Sequence, residues 1–247
     1  MKKVLVIITF LFSVQTLCAQ GTVFEEARTI YKRENVFGVL VHTTGWGLTY
    51  RYGLYNSGFT RTIFEADFVG KKHLKEIKTF SSLFDNSNGY VYGKLNSVLI
   101  LRGGIGRQVT FISKQSVRGI AISYIYSAGL SMVYAKPSYL EIIKVDEDGL
   151  ITSEIEKYVP EEHTQGDIIG GASYFRGFLE GKFYPGVYAK AGLNFESSFL
   201  ANKINAIEVG GILDLYPKRI PIMANDLNRF YFFNFYVSLT FGSKKTE

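Results

Sequence analysis

From Tyr231 to Phe241 every second residue is apolar. Tyr231, Phe233, Phe235, Val237, Leu239 and Phe241 share one face, while Asn234, Ser238 and Thr240, with Tyr236 among them, share the other. Successive side chains of an extended strand point to opposite faces, so this segment is a strand with one wholly apolar side. The same period recurs along the chain. Trp46, Leu48, Tyr50, Tyr52 and Leu54 oppose Thr49 and Arg51; Phe64, Ala66 and Phe68 oppose Arg61, Glu65 and Asp67; Leu95, Leu99, Leu101 and Ile105 oppose Lys94, Asn96 and Arg102. Phe175, Leu179 and Phe183, spaced by Gly177 and Gly181, oppose Arg176, Glu180 and Lys182. Val187, Leu193 and Phe195 oppose Lys190 and Glu196, and Ile207, Val209, Leu213 and Leu215 oppose Glu208 and Asp214.

Charges therefore gather on one face of each strand and are nearly absent from the other. A water-soluble sandwich also alternates, with its polar side outward. Two further features point to a membrane instead. The strands run about 10–12 residues, matching the ~9–11 that cross a bilayer at a tilt. Aromatics crowd their ends, as interfacial girdles do. In hydrocarbon an open sheet edge leaves backbone N–H and C=O groups unpaired, so the sheet has to close. The expected fold is an all-β, transmembrane, antiparallel up-and-down barrel of about ten strands, with eight and twelve as alternatives. Arg51, Glu65, Asp67, Lys94, Arg102, Arg176, Glu180, Lys182, Lys190, Glu196, Glu208 and Asp214 are its expected lumen-facing charges. Their mixed signs suit a narrow, filled lumen. Tyr231, Phe233, Phe235, Val237, Leu239 and Phe241 are the lipid face of the expected membrane-insertion strand.

Nine strands are legible, at about 36–42, 46–56, 60–69, 92–106, 117–127, 173–183, 187–198, 204–216 and 230–241. Leu130–Val145 is the tenth candidate, weakened by Pro137. Asn56-Ser57-Gly58 and Tyr184-Pro185-Gly186 read as tight turns, and 71–90 and 217–229 as longer loops. Residues 144–170 form an acidic loop, with eight carboxylates against two lysines. It reads as a solvated loop, with a cation site or a partner-docking surface as the sharper alternative.

Residues 1–19 read as an export signal. Lys2 and Lys3 precede an apolar run from Val4 to Val14, and Leu17-Cys18-Ala19 places cleavage after Ala19. That run is too short to span a bilayer as a helix. Leu17 is too bulky for the small residue that usually precedes a lipid-modified cysteine, which argues against processing at Cys18. The expected layout is signal 1–19, an N-terminal periplasmic segment 20–35, a barrel 36–241 and a C-terminal tail 242–247. The formal charge is +6; without Lys2 and Lys3 it falls to +4, and the cations are scattered, which argues against nucleic-acid binding. Cys18 is the only cysteine, so the exported chain has no disulfide.

Signals for chemistry are weak. Aligning Gly149 with the fixed glycine of a calcium-binding EF-hand loop puts Lys144 and Ile155 where carboxylates are required. His42, His73 and His163 show no metal-ligand spacing. Gly103-Gly104-Ile105-Gly106 lies inside an alternating strand with no helix after it, so it reads as strand glycines, not a phosphate loop. No nucleophile–base signature stands out. No catalytic, cofactor-binding or metal-binding residue is expected.

The signal ending Cys18-Ala19-Gln20, the Tyr/Phe/Gly-rich strands and the terminal Phe235-Tyr236-Val237-Ser238-Leu239-Thr240-Phe241 resemble outer-membrane β-barrel proteins of Bacteroidota. Val91–Asn96, Tyr188–Phe195 and Tyr216–Met223 are similar to an uncharacterised group among them. The resemblance implies residence in the outer membrane of a Gram-negative bacterium, with outer-membrane lipid and the barrel-insertion machinery as partners, and it carries over no catalytic residue. Gly242–Glu247 extend past the terminal aromatic. The expected function is that of a non-enzymatic, structural or accessory component of an envelope assembly with a protein partner there. A narrow pore for ions or small solutes is the first alternative, and a lipid-modifying enzyme the second.

Overall fold

A computed structural model of the chain describes residues 31–81, 88–113, 119–145, 151–197, 202–224 and 228–246. The expected export signal, most of the N-terminal segment and the Asp146–Asp148 tip of the acidic loop lie outside them. The strands are β1 (Arg33–His42), β2 (Gly45–Tyr55), β3 (Thr60–Lys71), β4 (Lys78–Thr79), β5 (Tyr90–Val91), β6 (Asn96–Ile112), β7 (Ile120–Pro137), β8 (Tyr139–Val145), β9 (Ile151–Lys157), β10 (Ile168–Gly171), β11 (Lys182–Ser197), β12 (Lys203–Leu215) and β13 (Tyr231–Lys245).

Eight of them close into a barrel in the order β1-β13-β12-β11-β7-β6-β3-β2, every pairing antiparallel. The count is eight, not about ten. The register also gives the stagger. Stepping strand to strand from Lys245 through Arg33, Leu54, Thr62, Arg107, Tyr126, Ala191 and Gly211 returns to β13 at Phe235, ten residues earlier. A shear of this size in eight strands goes with a strand tilt of about 40°.

Three expectations need correction. The alternating segment at 173–183 is not a strand: it forms turns and a single 3-10 turn at Phe178–Glu180, and β11 begins only at Lys182. Gly177 has a φ of 70°, which breaks an extended run and which residues other than glycine rarely adopt. The tenth candidate is divided. Leu130–Pro137 belongs to an 18-residue β7, and Tyr139–Val145 leaves the barrel as β8. Tyr184-Pro185-Gly186 is no turn but part of β11. Before Val187 that strand has no β12 partner, so an edge is available there for a residue without an N–H. At the seam, Arg33–Val36 pair with Gly242–Lys245.

The two ends of the barrel differ. At one end lie the seam ends Arg33 and Lys245, the Asn56–Phe59 turn and the strand ends Ile112, Ile120, Ser197 and Lys203. At the other, long stretches of chain separate β3 from β6, β7 from β11 and β12 from β13. There β8, β9 and β10 form a separate three-stranded sheet and β4 pairs with β5. Tyr90, Leu140, Ile142, Tyr158 and Ile168 build a second small core beneath them. This loop-end cap has its own inside and outside.

Candidate functional site

Six carboxylates and six cations lie inward on the barrel strands: Glu34, Glu65, Asp67, Glu196, Glu208 and Asp214 against Arg51, Arg61, Lys71, Arg102, Lys190 and Lys244. All but Lys244 are buried. They are arranged in three tiers. In the middle, Arg51 Nη2 lies 2.9 Å from Glu208 Oε2 and 3.8 Å from Glu65 Oε2. Lys190 Nζ lies 3.3, 3.6 and 3.7 Å from Glu65, Asp67 and Glu208. The hydroxyls of Tyr188 and Ser127 donate to Glu65, and Tyr236 Oη donates to Glu208 at 2.5 Å. Towards the short-turn end, Arg61 pairs with Glu34 at 2.5 Å and Glu196 at 3.5 Å, and Lys244 adds a contact to Glu196 at 2.7 Å. Towards the loop end, Arg102 makes a two-pronged pair with Asp214 at 2.7 and 2.9 Å. Arg51–Glu208, Lys190–Glu65 and Arg102–Asp214 each join strands with two others between them, so these side chains cross the interior.

Glycines make room for this filling. A Cβ at Gly104 would come within 2.4 Å of the Tyr188 hydroxyl, and a Cβ at Gly192 or Gly210 would crowd the Tyr236 ring. The Gly103-Gly104-Ile105-Gly106 run thus serves packing inside β6. Above the ion pairs the interior turns apolar. Leu40, Val69, Ile100, Val133, Ile212 and Phe232 point inward, and Ile220, Ile222 and Met223 of the β12–β13 connection fold onto them. That connection is pinned by Leu95 N–H donating to Ile222 O at 2.9 Å and by Asn228, whose Oδ1 accepts from the Ile222 and Met223 amides. The loop-end mouth is stoppered by the chain itself.

Of the charges read from sequence as lumen-facing, Arg51, Glu65, Asp67, Arg102, Lys190, Glu196, Glu208 and Asp214 lie in this interior. Lys94, Arg176, Glu180 and Lys182 do not. Lys94 sits in the β5–β6 connection and pairs with Glu76 at 2.7 Å. Arg176 and Glu180 lie in the non-strand segment before β11 and are exposed, as is Lys182 at the start of that strand. Glu180 and Lys182 help line a cavity of about 200 Å³ between cap and rim, beside Lys157, Tyr158 and Tyr184. Their alternation is real but the backbone that would carry it is not extended. Sequence reasoning missed Glu34, Lys71 and Lys244, which lay beyond the expected strand limits, and left Arg61 out of the lumen set although it shares the polar face of its strand. It also missed Tyr188 and Tyr236, whose period placed them among polar residues. That misplaced aromatic period was the available signal.

Tyr231, Phe233, Phe235, Val237, Leu239 and Phe241 all face outward on β13, each at least 38% exposed. Phe37, Trp46, Leu48, Phe68, Leu101, Ile105, Leu193 and Ile207 continue this surface around the other strands.

Among the histidines, His42 Nδ1 lies 3.1 Å from Thr44 Oγ1, a nucleophile–base spacing. Thr44 is also held by Asn234 at 2.7 Å and Lys71 at 2.9 Å, while His42 Nε2 is buried without a hydrogen bond among the described residues, so none of their carboxylates orients the ring. His73 accepts the Lys75 N–H, and His163 accepts the Val159 N–H and faces Glu156 at 3.4 Å. In the acidic connection, Lys144 binds both Glu154 and Glu156, and the hydrogen bond from Lys144 holds the Glu156 carboxyl below its ordinary range. Asp167 is lowered likewise by the Thr164 hydroxyl and amide. Among the described residues no three potential ligands cluster as a metal site would require.

No family model matches the chain, and no curated protein matches it either. Eight solved chains are similar to it. One is the Neisserial surface protein A, 9% identical over 87% of this chain and 96% of that one, with a TM-score of 0.40. Another is Ail, the attachment invasion locus protein of Yersinia pestis, solved with the heparin analogue sucrose octasulfate: 8% identity, 87% and 99% coverage, TM-score 0.40. A third is the N-terminal β-barrel domain of Pseudomonas aeruginosa OprF, at 8% identity, 87% and 98% coverage and TM-score 0.34. At such identities and scores these proteins lend no residue roles.

Proposed function

We propose that this chain is an outer-membrane barrel of a Gram-negative bacterium, of the Bacteroidota kind its terminal strand resembles, and that it serves as a sealed structural or accessory component of an envelope assembly. One observation carries the reading: the barrel's polarity is inverted. Glu208 and Asp214 are fully buried, whereas Phe235 on the adjacent strand is 64% exposed. Water would favour the opposite arrangement by roughly 1.5–3 kcal/mol for each large apolar side chain. Only an apolar solvent around the barrel makes it stable, and closure leaves no strand edge unpaired in that solvent.

The unequal ends support an orientation. In bacterial barrels short turns face the periplasm and long loops face outward. The seam termini then lie on the periplasmic side, following an export signal cleaved after Ala19, and the cap with its acidic connection faces the exterior. The balanced tiers of ion pairs and the Ile220–Met223 stopper favour a non-conducting barrel over a pore. Phe241 offers the insertion machinery its terminal aromatic, with four more paired residues following it.

The folded protein should sediment with outer membranes and shift on a gel after heating. In planar bilayers it should show no steady conductance; ohmic channels from folded protein would return the pore to first place. Cross-linking on whole cells should join the cap to one abundant envelope protein. Recovery only as an isolated monomer would remove the accessory role.

A further inference from the structure

The barrel wall is not equally tall all round. β6, β7 and β11 run 17, 18 and 16 residues, while the other five barrel strands have 10 to 15. On β7 the outward side chains stay apolar or aromatic from Ile120 to Tyr134. At about 3.3 Å per residue and a tilt of about 40°, that face spans roughly 35 Å along the axis. A lipid-facing band is about 25 Å tall, so this side of the wall reaches beyond the hydrocarbon.

The segment just before β11 sits at the top of that tall side. Tyr134 of β7 packs its ring against Phe178 at 5.5 Å and against Phe183 at 4.9 Å, which ties the segment to the outer surface of the wall. Leu179 is 96% exposed and Phe175 77%. Phe175 meets the edge of the neighbouring Tyr174 ring at 5.9 Å and otherwise, like Leu179, stays exposed, and water does not favour such a patch. Cations flank it. Arg176 and Lys182 are exposed, and Lys136 Nζ donates to Arg176 O at 3.0 Å. The one carboxylate here, Glu180, accepts the Tyr139 hydroxyl at 2.6 Å.

We propose that residues 172–183 form a shelf anchored in the outer leaflet, with Phe175 and Leu179 dipping to the boundary where the acyl chains begin and Arg176 and Lys182 on the phosphates of anionic lipid. This rests on the membrane reading above. The patch is continuous with the lipid-facing wall, and amphipathic aromatic segments rimmed by cations lie in the headgroup region. No covalent step is involved.

The sole tryptophan, Trp46, is an outward residue of β2 and supplies the control. The wild-type protein and a W46F/F175W variant, each checked for folding by its heat shift, go into phosphatidylcholine vesicles with acyl-brominated lipid. Both tryptophans should be quenched. If Trp46 is quenched and the tryptophan at 175 is not, the shelf is wrong and the barrel reading stands; if Trp46 is not quenched, the membrane reading fails. Diluting brominated phosphatidylglycerol into phosphatidylcholine should quench position 175 as if that lipid were enriched roughly three- to tenfold there. The enrichment should vanish when R176Q and K182Q are added. Equal quenching by both headgroups overturns the phosphate contact, and protection of position 175 by a cross-linkable second copy of the chain overturns the lipid as occupant.

Discussion

The barrel and its loop-end cap obey opposite rules within one chain. In the barrel, Arg102 and Glu208 are buried and Phe235 and Trp46 are exposed. In the cap, Ile142 and Ile168 are buried while Lys144 and Glu154 are exposed. Both regions are antiparallel sheet with the same alternation, so neither strand propensity nor periodicity distinguishes them. The difference lies in what each alternation is sorted against. The cap sorts apolar residues away from water, and the barrel sorts charge away from an apolar exterior. Alternation reports two environments; only closure and the filling of the interior say which face meets which.

That contrast can be broken most severely from inside. Replacing Glu208 with Leu leaves Arg51 and Lys190 buried with one carboxylate fewer, and should cost about 3–5 kcal/mol. Urea unfolding of vesicle-embedded protein would read this, and a loss below about 1 kcal/mol would mean that water reaches the tier. Next comes the outer face. Val237→Arg places a charge in mid-band and should cost about 2–4 kcal/mol in lipid, whereas Thr152→Arg on the exposed face of the cap should stay within about 0.5 kcal/mol. Equal effects would erase the distinction between the two surfaces. Third, Ile142→Ala should destabilise the cap by about 2–3 kcal/mol and leave the barrel's heat shift unchanged; hydrogen exchange of β8 and β9 reports the first and gel mobility the second.

The smallest effect is one of pH. The Glu156 carboxyl is lowered by its hydrogen bond from Lys144. A depressed carboxylate stabilises the fold above its unfolded value and loses that contribution as pH falls through the folded one. Exchange in β8–β9 should therefore rise modestly below about pH 4, with no matching rise in the barrel strands. A barrel that loosened first would reverse the comparison.

Much of the barrel could be read in advance because strands with one apolar and one polar face repeat one simple demand. Eight of the nine segments singled out by alternation became barrel strands, and the outward row from Tyr231 to Phe241 lies where its period places it. The segment at 173–183 misled for a physical reason: two of its five apolar-face positions are glycine, and Gly177 turns the chain. The expected break between 117–127 and the candidate beginning at Leu130 is absent, since β7 pairs without interruption through Ala128 and Gly129. The stopper at Ile220–Met223 carries no period at all. Its residues are buried by what lies beneath them, and such tertiary contacts leave little trace in a short loop. Charge pairing was legible in kind but not in partner, since Arg51–Glu208 joins residues 157 positions apart.

The seam between β1 and β13 has a consequence for how the molecule comes into being. β1, the first barrel strand in chain order, finds its second neighbour only in β13, the farthest from it along the chain. Until then the nascent sheet carries an open border on each side, a ready template for the wrong partner. Losing even the four residues after Phe241 would unzip the foot of that join, since Gly242–Lys245 pair with Arg33–Val36, so the barrel cannot close until β13 is in place.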